Sequence, residues 1–452
     1  MIIIQIGYTF LSLVSIVGAV SYFLGSVTAQ NNESPFHWSD SQNVISPFAK
    51  SGKMEAIGRT GVAAMHAVLL NEKTILIIDK AEWNEAQFDS GQSAFHTGGG
   101  EKRGRDWKAE PGWQSIRHFT PCTDNSCLWD EYKTGKMTAN RWYPTVEQLP
   151  EGDLFIIGGS TKGTAVNRAE VNVPSYEFWP PRPEGEVPFK FLIETMPYNL
   201  YPFVFVLPDG TSKIPGNPRS YPLTGGAIML PLDPKNNYNV EILICGGSER
   251  MKRDATADDT CGRINLGDAN PQWKMESFIH KRLMPDGVIM ADGNVLWVNG
   301  CQRAPINKRW TQNLANTDIA RMYHSVALTL PDGRVWIAGS NNVDPPDINA
   351  EYPTEFRSFD ILLNLENLAA KDTDPASKIR VGLLRTGFST HSMHMSQRYV
   401  FLNHEPQNYC SPHAAIYPPG AGMLYVLYDG VPSNGTEIFI ERISPIYKFN
   451  TI

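Results

Sequence analysis

Residues 323–340, YHSVALTLPDGRVWIAGS, carry the phrase from which the fold is read. An apolar run enters Pro-Asp-Gly, a second apolar run leaves it, and a pair of small residues closes the phrase. Two such runs joined at Asp-Gly make a β-hairpin, because glycine supplies the positive φ that the turn requires. The phrase recurs as YPTVEQLPEGDLFIIGGS at 143–160, FVFVLPDGTSKI at 203–214 and GVIMADGNVLWVNG at 287–300. A copy with a longer turn, AIMLPLDPKNNYNVEILICGGS, occupies 227–248. Short strands alone also fit a two-sheet sandwich, but the recurring small-residue pair favours an all-β propeller, whose blades crowd where their strands end. Spacing between copies is unequal, so the connecting loops differ in length and are free to carry function.

Beyond Pro346 the phrase stops, and KIRVGLLR at 378–385, RYVFLNH at 398–404 and GMLYVLYDGVP at 422–432 read as strands of a separate small β-sandwich. A chain of 452 residues accommodates both units. The leading run MIIIQIGYTFLSLVSIVGAVSYFLG, with Val27 and Ala29 placed before Gln30 as in a cleavage site, reads as a secretory signal peptide rather than an uncleaved anchor. The expected division is a signal peptide over 1–29, a propeller over 30–350 and a shortened sandwich over 351–452. On this reading the protein is secreted and extracellular, with no stable membrane span after cleavage.

Other features agree with that compartment. Asn32 and Asn434 each begin an Asn-x-Ser/Thr acceptor triplet for glycosylation. The spacings Cys122/Cys127 and Cys245/Cys261 predict two local disulfides, whereas Cys301 and Cys410 have no evident mate in the sequence. The net charge of −7 is spread without a basic run, which removes the source of affinity for nucleic acid.

The residues with chemistry stand at the starts of the copies. Arg141-Trp142-Tyr143 and Arg321-Met322-Tyr323 place a tyrosine there twice, the second followed by His324, and GFSTHSMHMSQRY adds His391 and His394. Strand ends of a propeller converge near its axis, where residues distant in sequence can meet around a ligand. Two phenolates beside two imidazoles favour a redox-capable copper or iron site over structural zinc. A lone Tyr or His at a strand start is more commonly a packed residue, so spacing by itself does not decide the matter.

Three longer segments do decide it. NRWYPTVEQLPEGDLFIIGG at 140–159, NTDIARMYHSVALTLPDGRVWIAGS at 316–340 and GFSTHSMHMSQRYVFL at 387–402 resemble, in order, signature segments of the glyoxal oxidases, copper radical oxidases related to galactose oxidase. The resemblance runs from about Gly61 to Gly430 and takes in EYPTEFR and LYDGVPS. It implies a seven-bladed kelch-like propeller, shortened here, followed by an immunoglobulin-like domain. It also implies one copper ion held by Tyr143, Tyr323, His324 and His391. By the same resemblance Tyr143 becomes the tyrosyl radical and Tyr323 accepts the substrate proton, while His394 and His66 lie outside the ligand set.

The implied reaction oxidises small aldehydes such as glyoxal or methylglyoxal to acids and reduces O2 to H2O2, which extracellular peroxidases can consume. Family members cross-link the radical tyrosine to a cysteine upstream. The interval from TILIID at 74–79 to Gly98-Gly99-Gly100 contains no cysteine, and QSAFHT joins directly to GGGEKRG. Two further departures follow EYPTEFRSFD and end the chain in ERISPIYKFNTI. The alternatives are therefore a non-catalytic propeller that binds copper or carbohydrate, and a primary alcohol oxidase of the galactose type.

Overall fold

A computed structural model describes residues 2–5, 53–60, 63–79, 112–120, 129–130, 135–163, 166–206, 219–248, 255–278, 281–302, 321–340, 357–362, 378–402, 404–405, 408–409, 414–441 and 448–451. The chain is built almost wholly of antiparallel strands, and its one α-helix among the described residues is the short Lys190–Glu194. No described helix is long and apolar enough to cross a membrane. The predicted signal peptide, Asn32, Cys122, Cys127, Cys410 and the interval after TILIID lie outside the described residues, apart from a strand Ile2–Gln5 paired with Thr74–Ile78.

The hairpin phrase unfolds into sheets in sequence order. Thr145–Gln148, Leu154–Ile157, Ser175–Trp179 and Val187–Pro188 form one four-stranded meander. Gly225–Met229, Glu241–Gly246, Thr260–Asn265 and Lys274–Ser277 form a second. Asp286–Ile289 pairs with Val295–Val298, and Ser325–Thr329 with Val335–Gly339. That last sheet continues through Arg357–Leu362, beyond the residue-350 boundary read from the sequence, and is completed by Lys53–Arg59 from the other end of the chain. Alternating Val, Ile and Leu give each strand its buried faces: Val326, Leu328, Trp336 and Ala338 share a core with Ile75 and Ile77 of the adjoining sheet.

One expected hairpin differs. Residues 203–206 of FVFVLPDGTSKI form no strand, and 207–214 lie outside the described residues. Phe203 and Phe205 instead pack as loop residues onto the apolar cluster around Ile242, Ile244 and Ile264. Alternating aromatics satisfied the strand pattern while serving a different purpose.

The terminal small residues act as the sequence reading requires. At Gly339, φ is 84° and a Cβ would run into the carbonyl oxygens of both Ala64 and His324. The predicted Cys245–Cys261 disulfide is formed, bridging paired positions of neighbouring strands with Cα atoms 4.1 Å apart.

The C-terminal unit supplies a further sheet in the order Arg398–Leu402, Ile379–Arg385, Gly420–Tyr428, Thr436–Glu441 and Lys448–Thr451. Between its first two strands in sequence, Ile379–Arg385 and Arg398–Leu402, the chain leaves as the hairpin Phe388–Thr390 and Met393–Met395. That hairpin adds to His66–Asn71 and touches the first strands Thr145–Gln148, Gly225–Met229, Asp286–Ile289 and Ser325–Thr329. The first strands of successive sheets thus surround it, and Leu384, Tyr399 and Tyr425 seal the C-terminal sheet against Ile228, Ile289 and Ala291.

Glu147 is buried in this junction and accepts hydrogen bonds from the Ser396 N–H at 2.9 Å and Oγ–H at 2.8 Å. Burial pushes its carboxyl up from 4.5 to about 7, against those bonds and the nearby Arg398 and Arg385 charges. The folded chain therefore keeps a proton that the unfolded chain releases above pH 4.5. Stability is expected to fall by about 3 kcal/mol as pH rises from the ordinary carboxyl range to about 7. Urea unfolding at pH 4.5 and pH 8 checks this: Glu147→Gln should lose that part of the slope, and an unchanged slope would refute it.

Candidate metal centre

The tyrosines are set by arginines two residues before them. Arg141 is 2 % exposed and donates from Nε to Glu177 at 2.7 Å and from Nη1 to the carbonyls of Gly158 at 2.8 Å and Ser175 at 3.1 Å. Gly158 directly follows the second strand of that hairpin, so the guanidinium ties the entry of the first strand to the exit of the second. Arg321 repeats the device on the Gly339 carbonyl at 2.6 Å. Arg219 does so on Gly246, and Arg282 on Asn299 at 2.7 Å. Four copies thus share one brace, and what varies is the residue two places on: Tyr143, Tyr221, Met284 or Tyr323.

That placement brings all four sequence-predicted ligands together. The His391 ring lies 4.7 Å from Tyr143, 5.4 Å from Tyr323 and 4.6 Å from His324 between centroids. Tyr323 and His324 are themselves 3.8 Å apart. Tyr143 (φ 60°), His324 (φ 63°) and His391 (φ 49°) occupy the left-handed region, a conformation that costs a non-glycine residue about 1–2 kcal/mol.

The donor atoms suit a cation. His391 Nδ1 lies 2.6 Å from Thr390 Oγ1, while its Nε2 is buried with no hydrogen-bond partner in the protein. A neutral imidazole whose far nitrogen is fixed by a hydroxyl presents its other lone pair for coordination. Burial holds His391 well below the ordinary histidine range, and the His324 and His66 rings add to this, so the ligating neutral form is favoured. Burial raises Tyr323, as do the neighbouring Tyr143 and Tyr221, so its phenolate needs a positive partner. Among the described residues no group of three His, Cys, Asp or Glu side chains could by itself hold a metal ion. Tyr143, Tyr323, His324 and His391 fit a copper ion of the two-nitrogen, two-phenolate type.

Sequence reading missed two members of the cluster. The Tyr221 hydroxyl hydrogen-bonds the Tyr323 hydroxyl, and the Tyr201 ring stacks with both Tyr143 and His391, each at 4.8 Å. Trp142 stacks on Tyr143 at 3.6 Å and 13°. Tyr221 had a signal, because Arg219-Ser220-Tyr221 is a third Arg-x-Tyr tripeptide. Tyr201 had none; it arrives through a loop whose N–H bonds the Tyr143 carbonyl at 3.0 Å.

His394 and His66 have other neighbours. His394 Nε2 lies 3.4 Å from Asp286 Oδ1 on a neighbouring strand, and His66 packs against Phe388 and, at 5.8 Å, His391. An apolar cleft of about 520 Å³, lined by Val68, Val146, Leu384, Phe388 and Met395, lies beside the hairpin rather than on the ligand set. Its lining comes from both the sheet of His66–Asn71 and that of Thr145–Gln148.

An all-β array whose first strands surround an inserted hairpin, with two tyrosines and two histidines at the meeting point, defines the copper oxidase class of galactose oxidase-like architecture. The chain belongs to the glyoxal oxidase family: residues 65–212 and 211–309 match its "Glyoxal oxidase N-terminus", and 346–440 match "Galactose oxidase-like, Early set domain". It is 30% identical to the aldehyde oxidase GLOX of Vitis pseudoreticulata, over 81% of this chain and 84% of that one. It is 28% identical to the aldehyde oxidase GLOX1 of Arabidopsis thaliana, over 73% and 68% of the two chains. A fungal alcohol oxidase solved in complex with copper shares the fold, with TM-score 0.58, 15% identity and coverage of 87% of this chain and 99% of that one.

The arginine brace makes a direct prediction. Arg141→Ala leaves Glu177 buried without its ionic partner and should cost about 3–5 kcal/mol in urea unfolding. A loss below about 1 kcal/mol, the range of an exposed pair, would refute the brace.

Proposed function

We propose that the chain is an extracellular oxidase that converts small aldehydes to carboxylic acids, with Tyr143, Tyr323, His324 and His391 holding one copper ion. The observation that carries this reading is the convergence of Tyr143, Tyr323 and His324 on His391, whose Nε2 is buried and unclaimed. Copper, when bound, supplies with an oxidised Tyr143 a two-electron acceptor for the substrate. The aldehyde reacts as its hydrate: two hydrogens leave with the electron pair, the acid forms, and O2 receives both to become H2O2.

The protein's own part is positional. In the tautomer with its proton on Nδ1, His391 donates to Thr390 Oγ1 and keeps Nε2 available. Tyr323 takes the proton of the substrate hydroxyl, and its own hydroxyl is held by a hydrogen bond with that of Tyr221. Tyr143 lies between the Trp142 and Tyr201 rings, and this aromatic enclosure shields its oxidised form from water. Secretion rests on the leader over 1–29 and on the Cys245–Cys261 disulfide, a bond preserved in an oxidising compartment. Extracellular peroxidases are the natural consumers of the peroxide.

A peroxide-coupled assay of the copper-loaded chain against glyoxal, methylglyoxal and primary alcohols tests the proposal. Peroxide from the aldehydes, lost in Tyr323→Phe, is the expected result. Full copper content with no peroxide from any substrate would overturn it in favour of a non-catalytic copper-binding propeller, the reading motivated by the missing upstream cysteine. Peroxide from alcohols alone would place the chain with the galactose-type enzymes.

A further inference from the structure

The four ligand-type residues come from three places in the chain, so something must fix the His391 hairpin relative to the strand that carries Tyr143. Glu147 is the fourth residue after Tyr143 and Ser396 the fifth after His391. The Glu147 carboxylate accepts both donors of Ser396, the N–H at 2.9 Å on one oxygen and the hydroxyl at 2.8 Å on the other. The Ser396 hydroxyl in turn accepts from the Gln148 N–H at 3.1 Å. Three hydrogen bonds therefore join two segments 249 residues apart, through one carboxylate and one serine.

The clamp is built rather than incidental. Glu147 is 6% exposed, and burying a carboxylate is costly unless its oxygens are satisfied. Ser396 is held at φ 59°, the left-handed turn that aims its N–H and hydroxyl at the same group. Arg385 and Arg398, the charged groups facing Glu147 from the C-terminal sheet, are engaged elsewhere. Arg385 binds Gln148 Oε1 and the Pro418 and Pro419 carbonyls, and Arg398 binds the carbonyls of Ala415, Ile416 and Val206. They compensate the charge at a distance and leave Ser396 as the direct partner.

The geometry points to Glu147 as a positioning residue for the metal centre, a buried carboxylate that bolts the hairpin of His391 to the strand of Tyr143 through Ser396. Nothing in its role touches substrate. It acts by setting the separation between an imidazole and a phenolate, and a small error in such a separation weakens metal binding by about 10–100-fold. The inference rests on the copper reading above for its consequence, but none of the clamp's three hydrogen bonds involves the metal.

The experiment uses the full chain and the variants Glu147→Gln and Ser396→Gly, glycine being at ease at φ 59°. Arg380→Gln serves as the control, since it breaks a different contact between the C-terminal sheet and the rest, the 2.7 Å pair with Asp233. In metal-free protein, hydrogen exchange over 388–396 should quicken about tenfold or more in both clamp variants and stay unchanged in the control. In copper titrations the clamp variants should bind Cu(II) about 10–100-fold more weakly, with an altered EPR spectrum, while the control binds as the parent does. Clamp variants with parental exchange, or a control that loosens the hairpin equally, would overturn the inference. If exchange responds but copper affinity does not, the positioning role is overturned. A parent chain that binds no copper would sink the proposed function, and the exchange result would still decide the clamp.

Discussion

A buried guanidinium that holds the carbonyl at the end of a hairpin is the contact on which the geometry of the centre depends. Arg141, Arg219, Arg282 and Arg321 each make it, on Gly158, Gly246, Asn299 and Gly339. Each brace fixes the point at which the chain enters a first strand, and the residue two places later is delivered to the middle of the ring of sheets. A scaffold of this kind is repetitive, yet its centre need not be. Substituting the delivered residue, tyrosine in three cases and methionine in one, changes the chemistry without disturbing the brace.

The N-terminal sheets supply the phenols of Tyr143 and Tyr323 and the imidazole of His324, and the C-terminal unit supplies the second imidazole. His391 reaches the centre on a hairpin that leaves one sheet, pairs with His66–Asn71 of another and returns. Because the ligands come from separate units, the centre exists only when both are docked. This links apolar packing of Leu384, Tyr399 and Tyr425 on Ile228 and Ile289 to the donor geometry some residues away. The left-handed backbone at Tyr143, His324 and His391 is strain that such packing must hold in place.

Much of this was legible in the sequence, for reasons that particular residues make clear. The hairpins at 143–160, 287–300 and 323–340 were readable because period-two apolar runs and Asp-Gly or Glu-Gly turns leave few other solutions. The four proposed ligand positions come from motif resemblance, and the structure brings the rings of Tyr143, Tyr323 and His324 within 5.4 Å of His391. Residues 203–206 misled, since alternating aromatics serve a packed loop as well as a strand. Tyr201 and the Glu147–Ser396 contact were out of reach, because each depends on chain segments meeting in three dimensions with no local pattern to announce it.

The interval between residues 79 and 98 holds no cysteine of the kind the resemblance implies for tuning a radical tyrosine, whereas the four residues proposed to hold copper lie together. Holding copper and tuning a radical are thus separable demands, and the residues on Tyr143 bear on the second: Trp142 on one contact and Tyr201 on another. The central claim concerns the first. EPR of the copper-loaded chain beside its His391→Ala variant tests it most directly. Superhyperfine splitting from two imidazole nitrogens that falls to one in the variant is the predicted result, and a spectrum untouched by the substitution would contradict the assignment.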